Sequence, residues 1–337
     1  MIMIRKRVII ISIIIILVLS LFLGDKGITG FFSLNNACIE KNISLEILFC
    51  PSDNCYERVI QLFSSSEKAY CAFYDLDYEI YKVIEEATNL SLLIDEDNCI
   101  NEYNSECIYG SGLMHNKFCI FDNEVVLTGS LNPTENGFFK NNNNIVIINS
   151  SCLADAYLDE FHKISKLDNS SSGLNEINEF NKIIVNGQEI IEFYFCPEDN
   201  CRKEVLDTLK NAEHNICIAA FALTDDALSD ELIELSSSGI NVYGTIESRN
   251  VNLLGSKVSM LEGQGNIALR LDSNEANMHN KFFVIDNKSV ITGSANPSKN
   301  GYENNDENVL IIHNEEIAKA YLDECNRIFQ SARASVK

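Results

Sequence analysis

Two histidine–lysine pairs are the part of this sequence whose residue types and spacing could do chemistry. His115 and Lys117 lie two residues apart in an apolar run, and His279 and Lys281 repeat the arrangement. Residues i and i+2 of a β-strand point to the same face, so each run presents an imidazole and an ammonium together. Histidine can act as nucleophile or proton donor near neutral pH, and lysine supplies positive charge.

Cleavage of a phosphodiester is the reaction that such a set suits. The negative charge of a phosphodiester repels nucleophiles, so its cleavage needs a nucleophile, an acid for the departing oxygen and positive charge for the phosphoryl oxygens. The paired histidines and lysines supply these without a metal or other cofactor. Neutral donors follow each pair after a turn-permitting glycine: Ser130, Asn132, Ser294 and Asn296. Neither motif suffices alone, so the two must meet across a cleft.

An internal repeat predicts how the motifs are positioned. The phrase FCPxDNC occurs at 49–55 and 195–201, and MHNKF followed by TGS and NP occurs at 114–133 and 278–297. Between these anchors each half alternates strands with amphipathic helices. The sequence therefore predicts an α/β fold of two sandwich halves, 43–165 and 187–330, with a polar linker at 166–186 and the active site between the halves.

A longer loop before the second motif, roughly Ser248 to Gly265, breaks the repeat. It is either a rim of the cleft that selects substrates or an idle surface insertion.

The N-terminal 24 residues predict a membrane segment. Arg5, Lys6 and Arg7 precede an apolar run from Val8 to Leu23. A cationic flank before such a run keeps the N-terminus in the cytoplasm and directs the rest of the chain across the membrane. We favour an uncleaved signal-anchor over a removed signal peptide. Both interpretations place the catalytic part outside the cytoplasm, either anchored to the membrane or secreted.

The cysteine pattern fits an oxidising compartment. Cys50 and Cys55 flank one CPxDNC turn, and Cys196 and Cys201 flank the other, which predicts a local disulfide in each. A zinc site using both pairs is the alternative. The remaining cysteines of interest lie in apolar stretches and are predicted to be buried small hydrophobic residues: Cys71, Cys119 and Cys217.

At this point the sequence resembles the phospholipase D superfamily, whose signature is H-x-K-x(4)-D followed by G-S-x-N. Both copies are complete: His115, Lys117, Asp122, Gly129, Ser130, Asn132, and His279, Lys281, Asp286, Gly293, Ser294, Asn296. The short halves look most like the small nuclease and mitochondrial cardiolipin-hydrolase branch, fused in tandem. The resemblance implies a covalent phosphohistidine on one histidine, protonation of the leaving group by the other, and independence from divalent metal.

A carboxylate downstream of the motif commonly orients the histidine in this family. Glu307 has that place after His279, whereas the matching residue of the first half is Asn143. The two histidines are therefore predicted to be inequivalent. We interpret His279 as the nucleophile, oriented by Glu307, and His115 as the acid, although precedent in two-domain members often favours the N-terminal histidine.

Three functions compete at this stage. The first is a lipase that cleaves a phospholipid headgroup, the second a nuclease acting on DNA or RNA, and the third a non-catalytic scaffold. The net charge of −23 disfavours long polyanions, and no Lys/Arg run marks a groove for a nucleic-acid backbone. The intact pairs argue against a scaffold. The sequence thus favours a lipase held near its membrane substrate, with no obligate protein partner.

Overall fold

The computed structural model describes residues 37–165, 180–252 and 255–334. The predicted membrane segment at 1–24 lies outside these residues, as do residues 166–179 of the predicted linker. Among the residues that are described, no helix has the length and apolar character needed to cross a membrane.

The first half is an α/β unit in which strands and helices alternate. Its elements follow the order β1 (Ala37–Glu40), β2 (Ser44–Cys50), α1 (Cys55–Ser65), β3 (Lys68–Phe73), α2 (Tyr78–Ala87), β4 (Asn89–Asp95), β5 (Glu106–Ile108), β6 (Lys117–Phe121), β7 (Val125–Gly129), α3 (Glu135–Phe139), β8 (Asn143–Asn149) and α4 (Ser151–Ser165). A 3₁₀ turn at Glu96–Asn98 follows β4.

The second half repeats this order. It contains β9 (Lys182–Val185), β10 (Gln188–Cys196), α5 (Cys201–Leu209), β11 (Asn215–Ala220), α6 (Asp226–Ser237), β12 (Asn241–Ile246), α7 (Val258–Leu261), β13 (Ile267–Leu271), β14 (Lys281–Ile285), β15 (Ser289–Gly293), α8 (Lys299–Glu303), β16 (Glu307–His313), α9 (Glu315–Ser331) and β17 (Arg333–Ala334). A 3₁₀ turn at Ser248–Asn250 matches the one in the first half.

Each half has one mixed sheet with the same central topology. The first sheet has the order β2-β8-β7-β6-β3-β4-β5, and the second contains β10-β16-β15-β14-β11-β12-β13 at the equivalent places. The parallel pairs β3–β4 and β11–β12 are joined through α2 and α6, as parallel crossovers require. The two-half α/β architecture expected from the repeat is therefore present.

Residues 182–185 correct the predicted linker, because they form strand β9. This strand pairs with β10 and also with β1, which adds β1 of the first half to the second sheet. Its Ile183 and Ile184 are buried, so the segment contributes to the core of the second half.

A shared core joins the halves along a contact that we call the seam. One buried cluster contains residues of both sheets together with α4 and α9. Phe49 of the first half packs edge-on against Tyr321 of the second at 5.0 Å, and Phe195 packs in the same way against Tyr157 at 5.0 Å. Such exchanged aromatic contacts bury large apolar side chains from both halves, so we expect the halves to fold as one unit.

Polar side chains of each half also form hydrogen bonds with the other half across the seam. The Asn144 amide donates to Thr292 Oγ1 and to the Tyr321 hydroxyl, both at 2.8 Å. Asn308 Oδ1, its counterpart, accepts from Thr128 Oγ1 at 2.8 Å. Buried polar groups need such partners, and supplying them from the opposite half fixes how the halves dock.

All twelve cysteines lie in six disulfides. The predicted pairs Cys50–Cys55 and Cys196–Cys201 are confirmed, and their thiols are not zinc ligands. The predicted burial of the cysteines in apolar stretches is confirmed, but all three are bonded in disulfides, which the prediction did not include. Cys71 lies directly opposite Cys119 on the neighbouring strand and is bonded to it, and Cys217 of β11 is bonded to Cys325 of α9. The apolar sequence context indicated that these cysteines are buried, but it did not indicate the cysteine to which each is bonded.

Candidate active site

Buried carboxylates hold the segments that carry the two histidines. Asp95, at the end of β4, accepts a hydrogen bond from Met114 N at 2.8 Å. Glu247 follows β12 and accepts from Met278 N at 2.7 Å. Both acids are 1% exposed. These two carboxylates fix the backbone immediately before each histidine.

The backbone amide of each histidine donates a hydrogen bond across the seam to the other half. His115 N donates to the carbonyl of Asp306 at 3.0 Å, and His279 N donates to the carbonyl of Asn142 at 2.9 Å. Parallel bridges pair Met114 with Asp306 and Asn142 with Met278. The backbone of each histidine is thus hydrogen-bonded to the other half of the chain. The residue that accepts this hydrogen bond directly precedes Glu307 in one case and Asn143 in the other.

Glu307 therefore contacts His115, which corrects the prediction that it orients His279. Its Oε1 lies 2.8 Å from His115 Nδ1. The prediction assumed that the carboxylate serves the histidine of its own half. Because Asp306 pairs with Met114 across the seam, the next residue is directed to the opposite histidine instead.

Asn143 takes the corresponding place beside His279. Its Nδ2 donates to Gly137 O at 3.0 Å, so its Oδ1 faces the ring and lies 2.9 Å from His279 Nδ1. The carbonyl of Ser130 is also 2.9 Å from Nδ1. Since both neighbours accept hydrogen bonds, Nδ1 of His279 carries the proton and Nε2 keeps its lone pair when the ring is neutral.

The two lysines are buried with their histidines. Lys117 is 1% exposed and donates to His115 O at 2.6 Å, and Lys281 is 3% exposed and donates to His279 O at 2.8 Å. Burial lowers the pKa of Lys117 to about 7, opposed by Glu307 and Asp75. Burial and the charge of Lys117 lower the pKa of Lys281 well below its usual value. A bound anion would favour the charged form of both.

Burial shifts the pKa values of both histidines and of Glu307. It lowers the pKa of His279 well below 6.5, and the charges of Lys281, Lys117 and His115 act in the same direction. Burial and the two lysines likewise lower the pKa of His115. Burial raises the pKa of Glu307 to about 8. Burial thus favours the protonated form of Glu307 beside His115, whereas the groups at Nδ1 of His279 are a neutral amide oxygen and a backbone carbonyl.

Two aromatic rings that the sequence analysis did not identify cover the site. Tyr74 lies 4.9 Å from the His115 ring and 5.3 Å from Lys117 Nζ. Phe221 lies 5.1 Å from the His279 ring and 5.5 Å from Lys281 Nζ. Both rings directly follow the strands that pair with the motif strands. An aligned comparison of the two halves around these strands could have revealed them.

The serines of the two G-S-x-N segments form hydrogen bonds with Asn143, which contacts His279, and with Asn308, which follows Glu307. Ser130 Oγ donates to Asn143 Oδ1 at 3.0 Å, and Ser294 Oγ accepts from Asn308 N at 2.9 Å. Gly129 is required because its φ is 141° and a Cβ there would meet Asn144 O at 2.3 Å. Asn132 and Asn296 each have a buried amide oxygen without a hydrogen-bond partner within the described part of the chain.

Asp122 and Asp286 are not brought to the histidines, in contrast to their assignment as site residues. They lie at the far ends of β6 and β14, with φ of 50° and 52° in tight turns. The Asp122 carboxylate accepts from the backbone of Glu67 and Lys68. Asp286 accepts from the backbone of His214 and Asn215. Their role is to form the hairpin and bind the start of the neighbouring strand.

The longer loop of the second half begins next to the site. Arg249 Nη2 donates to the carbonyl of Glu275, and its Nε lies 3.2 Å from Glu247 Oε1. Glu247 in turn holds Met278, so the loop contacts the segment that leads to His279. Substrate selection by this loop stays a prediction.

A group that could hold a metal ion lies away from the histidines. Among the described residues, Glu189, Glu192 and His313 form such a cluster. His313 ends β16, whose first residue is Glu307, so the cluster lies at the opposite end of that strand. Lys182 Nζ is 3.1 Å from a carboxylate oxygen of each glutamate, so the cluster already has a cationic partner.

Comparisons with known proteins agree with this architecture. A family model described as "Cardiolipin synthase, PLD-like domain" matches residues 40–165 and 205–329. The chain is 32% identical over 128 residues to the phospholipase D of Rickettsia typhi, covering 38% of this chain and 62% of that protein. It is 30% identical over 138 residues to the mitochondrial cardiolipin hydrolase of Xenopus tropicalis, covering 40% of this chain and 65% of that protein. The match thus spans less than two thirds of either relative.

A solved structure extends the likeness to both halves. The phosphatidylserine synthase of Haemophilus influenzae superposes with a TM-score of 0.66, covering 86% of this chain and 87% of that one. The identity is 14%, so this likeness shows the shared fold alone.

Proposed function

Because the chain belongs to the phospholipase D superfamily, we propose that it is a phosphodiesterase that removes the headgroup of a phospholipid through a phosphohistidine. One observation carries the proposal. Two buried imidazoles with different Nδ1 partners, the carboxylate of Glu307 for His115 and the amide oxygen of Asn143 for His279, share a site with two buried lysines. A phosphodiester needs that division between a neutral nucleophile and a protonated acid.

In the first step His279 Nε2 attacks phosphorus and the bond from phosphorus to the headgroup oxygen breaks. The departing oxygen takes its proton from His115, whose charged form Glu307 stabilises at Nδ1. The free headgroup alcohol leaves, and the phosphatidyl group stays bonded to His279. The Nδ1 proton of His279 remains hydrogen-bonded to Asn143 and Ser130. This assignment keeps the predicted roles but gives them a different physical reason.

In the second step water replaces the histidine on phosphorus. Neutral His115 accepts a proton from the attacking water, the bond between nitrogen and phosphorus breaks, and phosphatidate is released. His115 then holds its proton again and His279 is neutral, so the cycle is closed. Lys117 and Lys281 stabilise the added negative charge on the phosphoryl oxygens in both steps.

A phospholipid is favoured over nucleic acid for two reasons. The relatives with 30% identity or more carry the names phospholipase D and mitochondrial cardiolipin hydrolase. The net charge of −23 repels long polyanions, whereas a phospholipid offers a single phosphodiester. The predicted N-terminal anchor would also hold the catalytic site at the membrane surface.

The test offers the full chain two substrates side by side in EDTA. Phosphatidylcholine vesicles report choline release, and labelled single-stranded DNA reports strand cleavage. Choline release that is lost in both His115→Ala and His279→Ala supports the proposal. Cleavage of DNA alone contradicts it in favour of the nuclease. Inactivity of a folded wild type on both substrates contradicts it in favour of the scaffold.

A further inference from the structure

Acceptor sequences for N-glycosylation, Asn-x-Ser/Thr with any residue except proline at x, occur at five places in the sequence. We call these triplets sequons, and they begin at Asn42, Asn89, Asn149, Asn169 and Asn287. Asn169 lies outside the described residues, and the other four sequons have defined places in the fold. The mechanism proposed above uses none of these asparagines.

Two of the four sequons lie at the end of the first sheet that is remote from the histidines. Asn149 ends β8, and the other end of that strand is Asn143 beside His279, about 20 Å away along the strand. Asn42 precedes β2, whose first residue, Ser44, pairs with Asn149. We call this end of the two sheets the distal end.

The other two sequons lie at the distal end as well. Asn89 begins β4 beside the start of β3, whose last residue, Phe73, pairs with Lys117 of the active site. Asn287 lies in the turn that follows β14, and Lys281 begins that strand at the active-site end. Both sheets thus present their sequons on the side facing away from the cleft.

Two further triplets have the outer residues of a sequon, lie at the active-site end, and contain proline. They are 132–134, Asn-Pro-Thr, and 296–298, Asn-Pro-Ser. Proline at the middle position excludes glycosylation. A glycan on Asn132 would stand two residues from Ser130, whose carbonyl is 2.9 Å from His279 Nδ1. The sequence therefore permits glycans at the distal end and blocks them next to the histidines.

Exposure and disulfide bonding both suit modification at the distal end. Asn42, Asn89 and Asn149 are exposed, whereas Asn287 is half-buried and its amide oxygen is buried. All twelve cysteines lie in disulfides, which form in the oxidising compartments of exported proteins. Sequons are glycosylated in exported proteins too, so the disulfides and the sequons point to the same compartment.

We propose that Asn42, Asn89 and Asn149 carry N-linked glycans, which cover the distal end and leave the catalytic cleft open. The co-reactant is a lipid-linked oligosaccharide pyrophosphate. The asparagine Nδ2 bonds to the anomeric carbon of the sugar, the bond from that carbon to the pyrophosphate oxygen breaks, and Nδ2 releases one proton. The inference does not depend on the proposed phosphodiesterase activity, and it rests on the predicted export of the chain.

The experiment expresses the full chain in its native host and determines which asparagines are modified by mass spectrometry of its peptides. Glycans are expected on the three exposed asparagines, with Asn287 unmodified. Replacing the serine of each sequon by alanine should remove one glycan and leave its asparagine in place: Ser44→Ala, Ser91→Ala and Ser151→Ala. The matched threonine variants preserve each sequon and should keep each glycan: Ser44→Thr, Ser91→Thr and Ser151→Thr.

Two results overturn the inference. The first is a protein in which Asn42, Asn89 and Asn149 are all unmodified, in whichever compartment it is found. The second is a glycan pattern that includes Asn287 or an asparagine of the cleft and omits the three exposed sites. An alanine variant that fails to fold does not prevent the test, because the peptides of the wild type and the threonine variants still report each site.

Removing the glycans from the folded protein tests their placement. Because the distal end lies away from the histidines, enzymatic removal is expected to leave kcat/KM on phosphatidylcholine vesicles unchanged. A large change in kcat/KM would show that the glycans reach the cleft, which contradicts the proposed placement. The glycan sites are determined without any activity measurement, so failure of the phosphodiesterase proposal and failure of this inference are distinguishable.

Discussion

The His115 and His279 environments have the same backbone support and different chemistry. In both, a buried acid holds the preceding methionine, the lysine two residues on donates to the histidine carbonyl, and an aromatic ring covers the imidazole. They differ in the group at Nδ1, which is the carboxylate of Glu307 in one case and the amide of Asn143 in the other. On this one side-chain difference we base the proposal that His115 is the proton donor and His279 the nucleophile.

The comparison also shows why the chain needs both halves. Each histidine receives its orienting group from the opposite half, next to a backbone hydrogen bond that crosses the seam. A half folded alone would have neither the second histidine nor the partner of the first.

Loss of the nucleophile should have the largest effect, and an activated substrate should separate it from loss of the acid. His279→Ala is expected to reduce kcat by roughly 10⁴-fold or more on any phosphodiester. His115→Ala should lose roughly 10²–10⁴-fold on a phospholipid but far less on a p-nitrophenyl phosphodiester, whose leaving group needs no proton. Release of p-nitrophenol checks this. If His115→Ala lost activity equally on both substrates, the assigned roles would be wrong.

Changing the Nδ1 partners should act on one histidine each. Glu307→Gln is expected to lower kcat on phospholipid by roughly 10²-fold, because His115 then loses the charge that stabilises its protonated form. Asn143→Asp adds a carboxylate beside His279 and should protonate the nucleophile, so activity falls mainly at acid pH. The pH profiles of both variants test this. A Glu307→Gln enzyme with normal kcat would contradict the pairing.

The pH profile of the wild type should reflect the same difference. The His115–Glu307 pair must hold a proton, and burial raises the pKa of Glu307 to about 8, so kcat is expected to fall as pH rises above about 8. His279 must be unprotonated, and burial keeps its pKa well below 6.5, so activity should persist on the acid side of neutrality. Measuring kcat from pH 5 to 10 tests both limbs. An optimum confined to alkaline pH is incompatible with this assignment.

Removal of a local disulfide should have the smallest effect, and the effect should be equal in the two halves because the CPxDNC turns are alike. Each local disulfide closes a loop with a sequence separation of 5 residues. Replacing either Cys50 and Cys55 or Cys196 and Cys201 by serine should lower the free energy of unfolding by about 2 kcal/mol. Urea unfolding measures the change. A much larger loss for one pair would show that its turn has an additional role.

Much of the fold was predictable because its signals are local. Alternating apolar patterns define strands, and the repeated phrases fix the order of elements, so the two-half α/β fold followed from the sequence. The cysteines at Cys50 and Cys55 are close along the chain, and their disulfide was predictable for that reason. The pairing of Cys217 with Cys325 was not, because a separation of 108 residues leaves no local signal.

The sequence by itself determined that His115 and Lys117, and likewise His279 and Lys281, share a strand face, because side-chain alternation is a property of the strand. Only the tertiary structure decided which histidine receives Glu307. That contact joins residues 192 positions apart and depends on how the halves dock, which the exchanged hydrogen bonds at the seam fix.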